Sequence, residues 1–338
     1  MGQAPPSTAG PQPPPPSRSR SRWRPGRNGI WRQALLTAAT VVALTAAAHS
    51  TIPAPPPAGH APATAATLGS VYAANRANAA EAAAMAAAHG DAHRAAADRA
   101  LAARELLAFD GRGPGQATEV LGELRRAGRV AVLVPGSDTS IDTYARFHRA
   151  AAALYDDLTR RAPAGTRVAV VAWLGYRTPG TVSTTVTTTA RADEAAPRLR
   201  ALTGQLRAIA PARARISLLC HSYGSVVCGR AAHGLDVGDV VLVGSPGTGV
   251  GTVAGLHTRA RVWAARGSRD WVAHVPHVRA GLLGATVGLG ADPVSGAFGA
   301  QVFDAADADH SGYFTPGSAA LANLARITLG ATSEVTRA

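Results

Sequence analysis

Leu218-Leu219-Cys220-His221-Ser222-Tyr223-Gly224-Ser225 runs from an apolar, strand-like segment into a helix-like one through a serine set among small residues. The pattern is a nucleophile elbow, G-x-S-x-G, with Cys220 in the first glycine position. A strained strand-to-helix turn lifts the serine hydroxyl above the sheet, and bulky neighbours would collide where the backbone doubles back. Gly224 meets that demand in full and Cys220 in part. Five-residue serine patterns arise by chance, so the surroundings decide whether Ser222 is a nucleophile.

Those surroundings alternate between two kinds of segment. Residues 130–134, 168–172, 216–219, 240–243 and 262–265 are near-continuous apolar runs, as expected of strands in a parallel sheet covered on both faces. Helices are expected between them at about 143–161, 191–209 and 224–233, with a last one at 318–329. This alternation predicts a doubly wound α/β domain, whose active site lies beyond the carboxyl ends of the strands.

An elbow needs an acid and then a base later in the chain. Arg266-Gly267-Ser268-Arg269-Asp270 follows the strand at 262–265, and Ala308-Asp309-His310-Ser311-Gly312-Tyr313-Phe314 places a histidine before the final helix. In these roles Ser222 attacks a carbonyl, His310 takes and returns its proton, and Asp270 orients the imidazole and stabilises its protonated form. A helix cap or loop ion pair is the alternative for Asp270, and Asp309 is the reserve acid. Two amides must also face the developing oxyanion. One is the backbone N–H of Tyr223; the other belongs to Val134-Pro135-Gly136-Ser137-Asp138-Thr139, where Gly136 permits close approach and Ser137 or Asp138 presents an amide. His221 adjoins the nucleophile, but neighbouring side chains diverge at an elbow. It is therefore expected to pack or hydrogen-bond beneath the site.

Composition excludes other chemistries. All 34 residues counted as Lys+Arg are arginine, so both the Walker A lysine and the Schiff-base lysine of pyridoxal enzymes are missing. The formal charge of +13 comes partly from Arg18, Arg20, Arg22, Arg24, Arg27 and Arg32, in a stretch without acids. The other arginines are dispersed among acids, without the aromatic-studded basic face of a nucleic-acid binder. His274-x-x-His277 lacks a third ligand for zinc, and Asp304, Asp307 and Asp309 lack the bidentate acid of a calcium loop. Gly249-x-Gly251-x-x-Ala254 matches a dinucleotide loop but leaves too few residues for the helix that must follow. Cys220 and Cys228 are the only cysteines. No disulfide framework is expected, with Cys228 packed in the core; a bond between the two in an oxidising compartment is the alternative.

Residues 1–33 form a disordered Arg/Pro-rich region by composition. Residues 34–48 are uncharged, apolar and closed by Ala46-x-Ala48, which predicts a signal-peptide core or, failing cleavage, a membrane anchor. A Pro/Ala linker follows at 49–66, then an Ala-rich helical segment at 67–108 broken near Gly90, and the α/β domain at 109–331. The helical segment carries a thin stripe (Leu68, Val71, Met85, Leu101, Leu106, Leu107) that must pack on something else.

With elbow, acid and base in order, the chain resembles the α/β-hydrolase superfamily. More narrowly, it is similar to an actinobacterial α/β-hydrolase family catalogued as a domain of unknown function. The resemblance rests on Val134-Pro-Gly136, Val171-Ala-Trp-Leu-Gly-Tyr176, His221-Ser-Tyr-Gly-Ser225, Gly244-Ser-Pro-Gly247 and His310-Ser-Gly-Tyr-Phe314, within about 100–330. It implies a doubly wound, mostly parallel sheet of hydrolase type and a Ser222, Asp270, His310 triad. Cys220 departs from the family's usual glycine. The threonine-rich loop 173–194 is expected to overhang the pocket and is too polar for the lid of a long-chain lipase. Trp173 and Tyr176 either line the substrate site or pack under that loop.

The expectation is an exported serine hydrolase that cleaves an ester in preference to an amide or thioester. Its partner is a small-molecule or lipid-like acyl substrate, with no metal, organic cofactor or nucleic acid, and membrane attachment only through residues 34–48. The alternative is a catalytically silent envelope protein that uses the fold as a binding scaffold.

Overall fold

The computed structural model describes residues 1–3, 53–59, 61–183, 187–275, 280–282 and 285–338. Most of residues 1–33, all of 34–48 and part of the 49–66 linker therefore lie outside the described residues. Among the described residues no helix is long and apolar enough to cross a membrane. His49–Ala338 forms one compact unit.

Five strands fall where the apolar runs place them: β3 (Arg129–Val134), β4 (Val168–Leu174), β5 (Arg215–His221), β6 (Asp239–Val243) and β7 (Arg261–Ala265). Their side chains explain the runs. Val130, Val132 and Val134 of β3 enter one core while Ala131 and Leu133 enter the other, and β6 and β7 alternate in the same way. The first core is roofed by α4 (Ala190–Ile209) and α5 (Gly224–Ala231), the second by α3 (Tyr144–Arg161) and α6 (Ala319–Leu329). Both faces are thus apolar, and the period-two pattern of a half-exposed strand is absent.

Among the described residues the sheet has eight strands, in the order β1 (Glu105–Asp110), β2 (Gln116–Leu121), β4, β3, β5, β6, β7 and β10 (Gln301–Val302). Strands β4, β3, β5, β6, β7 and β10 run parallel, while β2 joins β4 antiparallel and β1 joins β2 antiparallel. The chain winds outward from β3 to β4 and then crosses back to β5, so β3 and β5 are neighbours, with Val134 opposite Cys220. Loops leaving such a switch point open a crevice at the sheet's carboxyl edge. A separate two-stranded ribbon pairs β8 (Ala280–Leu282) with β9 (Ala285–Val287).

Two expectations need correction. The helical segment at 67–108 contains α1 (Leu68–Ala88) and α2 (Ala92–Ala102), interrupted at Gly90 (φ 85°), but its end is strand β1 (Glu105–Asp110), which pairs with β2 (Gln116–Leu121). Leu106, Leu107 and Phe109 are all buried there. The thin stripe thus packs on an added antiparallel edge rather than on the parallel strands alone.

The second correction concerns the cysteines: Cys220 and Cys228 form a disulfide, with Cα atoms 6.4 Å apart. They stand eight positions apart, the span of the elbow plus the first turns of α5, which brings Cys228 back over the end of β5. Closing so short a loop restricts the unfolded chain by roughly 2–3 kcal/mol in the loop-entropy picture. Cys228→Ala, or reduction of the wild type, is expected to lower the urea midpoint accordingly. An unchanged midpoint with and without reductant would show that the bond contributes nothing to stability.

Candidate active site

The four loops leaving β3, β5, β7 and β10 meet at the carboxyl edge. Ser222 follows β5 with φ 53°, a left-handed backbone that costs a non-glycine residue on the order of 1 kcal/mol or more. The turn survives because its neighbours leave room. A Cβ on Gly224 would lie 2.5 Å from the Val134 carbonyl oxygen, and one on Gly136 would lie 2.5 Å from the Cβ of Ser222. The β3 loop and the elbow therefore touch backbone to backbone. Cys220, fully buried, fits the first small position by directing its sulfur into α5 rather than across the turn.

The structure brings Ser222, His310 and Asp270 into one hydrogen-bonded line. Ser222 Oγ lies 2.9 Å from His310 Nε2, and His310 Nδ1 lies 2.9 Å from Asp270 Oδ1. The tautomer consistent with both contacts carries its proton on Nδ1, donated to Asp270, and leaves Nε2 to accept from the serine hydroxyl. Asp270 is buried and its acceptors are filled: Oδ1 also takes the Val272 N–H at 2.9 Å, and Oδ2 takes the Tyr313 hydroxyl at 2.5 Å. Burial alone would raise this carboxyl's pKa. The hydrogen bonds from His310, Tyr313 and Val272 outweigh burial and hold it below the usual carboxylate range, so it is ionised near neutrality. Asp309 serves elsewhere, its carboxylate capping the Ser311 N–H at 2.9 Å.

A second histidine supports the first. His221 Nε2 lies 2.6 Å from the carbonyl oxygen of His310, to which it donates, and the two rings are 4.8 Å apart. Burial, reinforced by His310, pushes His221 down to about 4, so it is a neutral strut that fixes the backbone of the loop carrying His310. Tyr313 braces the other side: its hydroxyl accepts the Gly267 N–H at 3.1 Å while donating to Asp270. Burial, then the Asp270 carboxylate, raise the Tyr313 pKa and keep it a phenol.

Gly136, Ser137 and Ser222 line one cavity of about 380 Å³. Among the candidate oxyanion donors, the Asp138 N–H is already bonded to the Pro179 carbonyl at 3.0 Å. The amides of Ser137 or Gly136, with that of Tyr223, are the ones left for an oxyanion. Thr181, from the threonine-rich loop, also borders the cavity and binds the Asp138 carboxylate through its N–H and hydroxyl.

Trp173 and Tyr176 do not line this cavity, which corrects one of their two expected placements. Their rings stack 5.8 Å apart in the core, and the Tyr176 hydroxyl donates to the Pro135 carbonyl at 2.6 Å. They support the β3 loop from behind, because β4 ends with these side chains turned toward α4 instead of over the sheet edge. The walls come instead from Arg146, Phe147 and Ala150 of α3, with Trp271 and Phe314. Trp271 is half exposed, its ring 4.6 Å from that of His310. Tyr313 and Trp271 were accessible signals, one within the His310–Phe314 motif and the other next to Asp270. Phe147 and Arg146 carried none, being ordinary positions of an amphipathic helix. Among the described residues no cluster of His, Cys, Asp or Glu is arranged for a metal ion; His277 of the His274-x-x-His277 pair lies outside them.

A profile of the alpha/beta hydrolases matches residues 110–280, just over half of the chain. The chain belongs to the alpha/beta hydrolase family. An uncharacterized protein of Mycobacterium tuberculosis is 31% identical over 267 residues, covering 68% of this chain and 39% of that relative. An uncharacterized protein of Mycobacterium bovis is 35% identical over 138 residues, covering 38% of this chain and 51% of the relative. The chain thus spans about two-fifths to one-half of these relatives, whose mycobacterial origin accords with an actinobacterial family. Solved structures with a similar trace include an α/β serine hydrolase without a lid from Xanthomonas campestris (17% identity, 65% of this chain and 88% of that one, TM-score 0.37). Another is a siderophore hydrolase from Aspergillus nidulans (13% identity, 64% and 91%, TM-score 0.38).

Proposed function

We propose that this alpha/beta hydrolase is an exported serine hydrolase that cleaves an ester through an acyl-Ser222 intermediate. The observation that carries the reading is the unbroken line from Ser222 Oγ through His310 to a buried, fully bonded Asp270, with both links at 2.9 Å. Ser222 Oγ attacks the ester carbonyl as His310 Nε2 takes its proton. The oxyanion forms against the Tyr223 amide and that of Ser137 or Gly136, and its collapse expels the alcohol, which His310 protonates. Water then gives a proton to His310 and attacks the acyl-enzyme, releasing the acid and restoring Ser222. No step calls on a metal or organic cofactor. Export is supported by the arginine-flanked apolar run at 34–48 and by the Cys220–Cys228 disulfide, which suits an oxidising compartment.

The small cavity and the polar threonine-rich loop favour short or compact acyl groups. Turnover of 4-nitrophenyl acetate, butyrate and palmitate tests this, with kcat/KM for the first two expected to exceed that for palmitate at least ~10-fold, the discrimination available from a few methylenes in a bounded pocket. Preference for palmitate would overturn the short-acyl reading. Failure to turn over any ester would favour the silent scaffold.

A further inference from the structure

The cavity around Ser222 contains one feature that ester hydrolysis itself does not use. Arg146, on the first turn of α3, lines the same space as Ser222 and His310, and it is the only arginine among the described residues that does so. Its guanidinium makes no hydrogen bond or ion pair with any described residue, whereas the nearby Arg94 and Arg104 are bound to Asp98 and Glu119. Among the described residues that line the cavity the one carboxylate is Asp138, and it is turned to Thr181, whose N–H and hydroxyl it accepts. Phe147, Ala150, Trp271 and Phe314 form the adjoining apolar wall. The cavity therefore offers a free planar set of donors beside an apolar surface and a reactive serine.

We propose that Arg146 is a specificity residue that recognises an anionic group, a carboxylate or phosphate, on the ester cleaved at Ser222. This rests on the hydrolase reading and names the class of its substrate. Five N–H donors and no acceptor make a guanidinium a partner for planar anions, with two parallel charge-assisted bonds. Its charge already reaches the site, since Arg146 contributes to keeping His221 neutral. Because the side chain is exposed, the interaction is screened by salt, and the preference it generates is moderate.

The anion could sit on the acyl or the alcohol portion, and two matched pairs separate these. For the acyl side the pair is 4-nitrophenyl hydrogen adipate against 4-nitrophenyl methyl adipate; for the alcohol side it is 4-acetoxybenzoate against methyl 4-acetoxybenzoate. Within each pair the methyl ester masks the charge. In one pair the anionic ester is expected to be favoured about tenfold in kcat/KM at low salt, the preference shrinking at 0.5 M salt as the Debye length falls to a few ångströms. Arg146→Gln should bring that ratio to about one, and Arg146→Lys should keep part of it. Equal turnover within both pairs, or an unaltered preference in Arg146→Gln, overturns the proposal and leaves the hydrolase reading intact. No turnover of all four esters by folded protein removes the hydrolase reading and the proposal together.

Discussion

Ser222→Ala is expected to abolish labelling by a fluorophosphonate probe and to lower ester turnover by on the order of 10⁵-fold or more. The probe phosphonylates an oxygen only if a base removes its proton while amides stabilise the new oxyanion. Labelling of the wild type would therefore report the 2.9 Å contact between Ser222 Oγ and His310 Nε2 in working form. Two of the other hydroxyls near the site are held away from the base: Tyr313 donates to Asp270, and Thr181 donates to Asp138. Removing Oγ leaves no nucleophile in the line, and any residual rate comes from binding and oxyanion donors alone. The measurement is gel fluorescence of probe-treated protein with initial rates on 4-nitrophenyl acetate. Folded wild type that takes no label, or Ser222→Ala that labels equally, would exclude Ser222 as nucleophile.

Asp270→Asn is expected to cost about 10⁴-fold in kcat with little change in overall fold. Asp270 accepts on Oδ1 from His310 Nδ1 and Val272 N–H and on Oδ2 from Tyr313. An amide supplies only one acceptor oxygen, and its NH₂ must face either the Tyr313 hydroxyl or the imidazole. If it faces the imidazole, the proton moves to Nε2, where it blocks acceptance from Ser222. Asp309→Asn is the comparison. That carboxylate caps the Ser311 N–H and should affect the rate far less. Circular dichroism and urea midpoints of both variants separate lost chemistry from lost structure. A near-normal rate for Asp270→Asn with a collapsed rate for Asp309→Asn would transfer the acid's role to Asp309.

Much of this architecture was legible in order along the chain. The apolar runs at 130–134, 168–172, 216–219, 240–243 and 262–265 lie within strands because a parallel sheet buried on both faces needs side chains of one kind on both sides. The helices at 144–161, 190–209 and 319–329 lie within a residue or so of their expected limits. The antiparallel strands β1 and β2 are not legible in the sequence, since Glu105–Asp110 continues an alanine-rich helical stretch without an intervening breaker. Its strand character comes from pairing with β2 and from burial of Phe109, which are contacts across the fold. The disulfide was likewise obscure: eight residues of separation fit a bond only if α5 turns back over β5 at the angle the elbow sets.

The sequence by itself determined the doubly wound layers, the elbow at Ser222 and the chain order of acid and base. Each depends on local periodicity or on small residues at fixed spacing, and both are properties of neighbouring positions. Tertiary structure alone decided that Asp270 rather than Asp309 faces His310, that Trp173 and Tyr176 brace the β3 loop from behind, and that Arg146 and Phe147 stand beside the serine. Those relations join residues roughly 40 to 76 positions apart in the chain. They are fixed by how four loops converge at one sheet edge, where distance and direction, and not residue type, choose the partners.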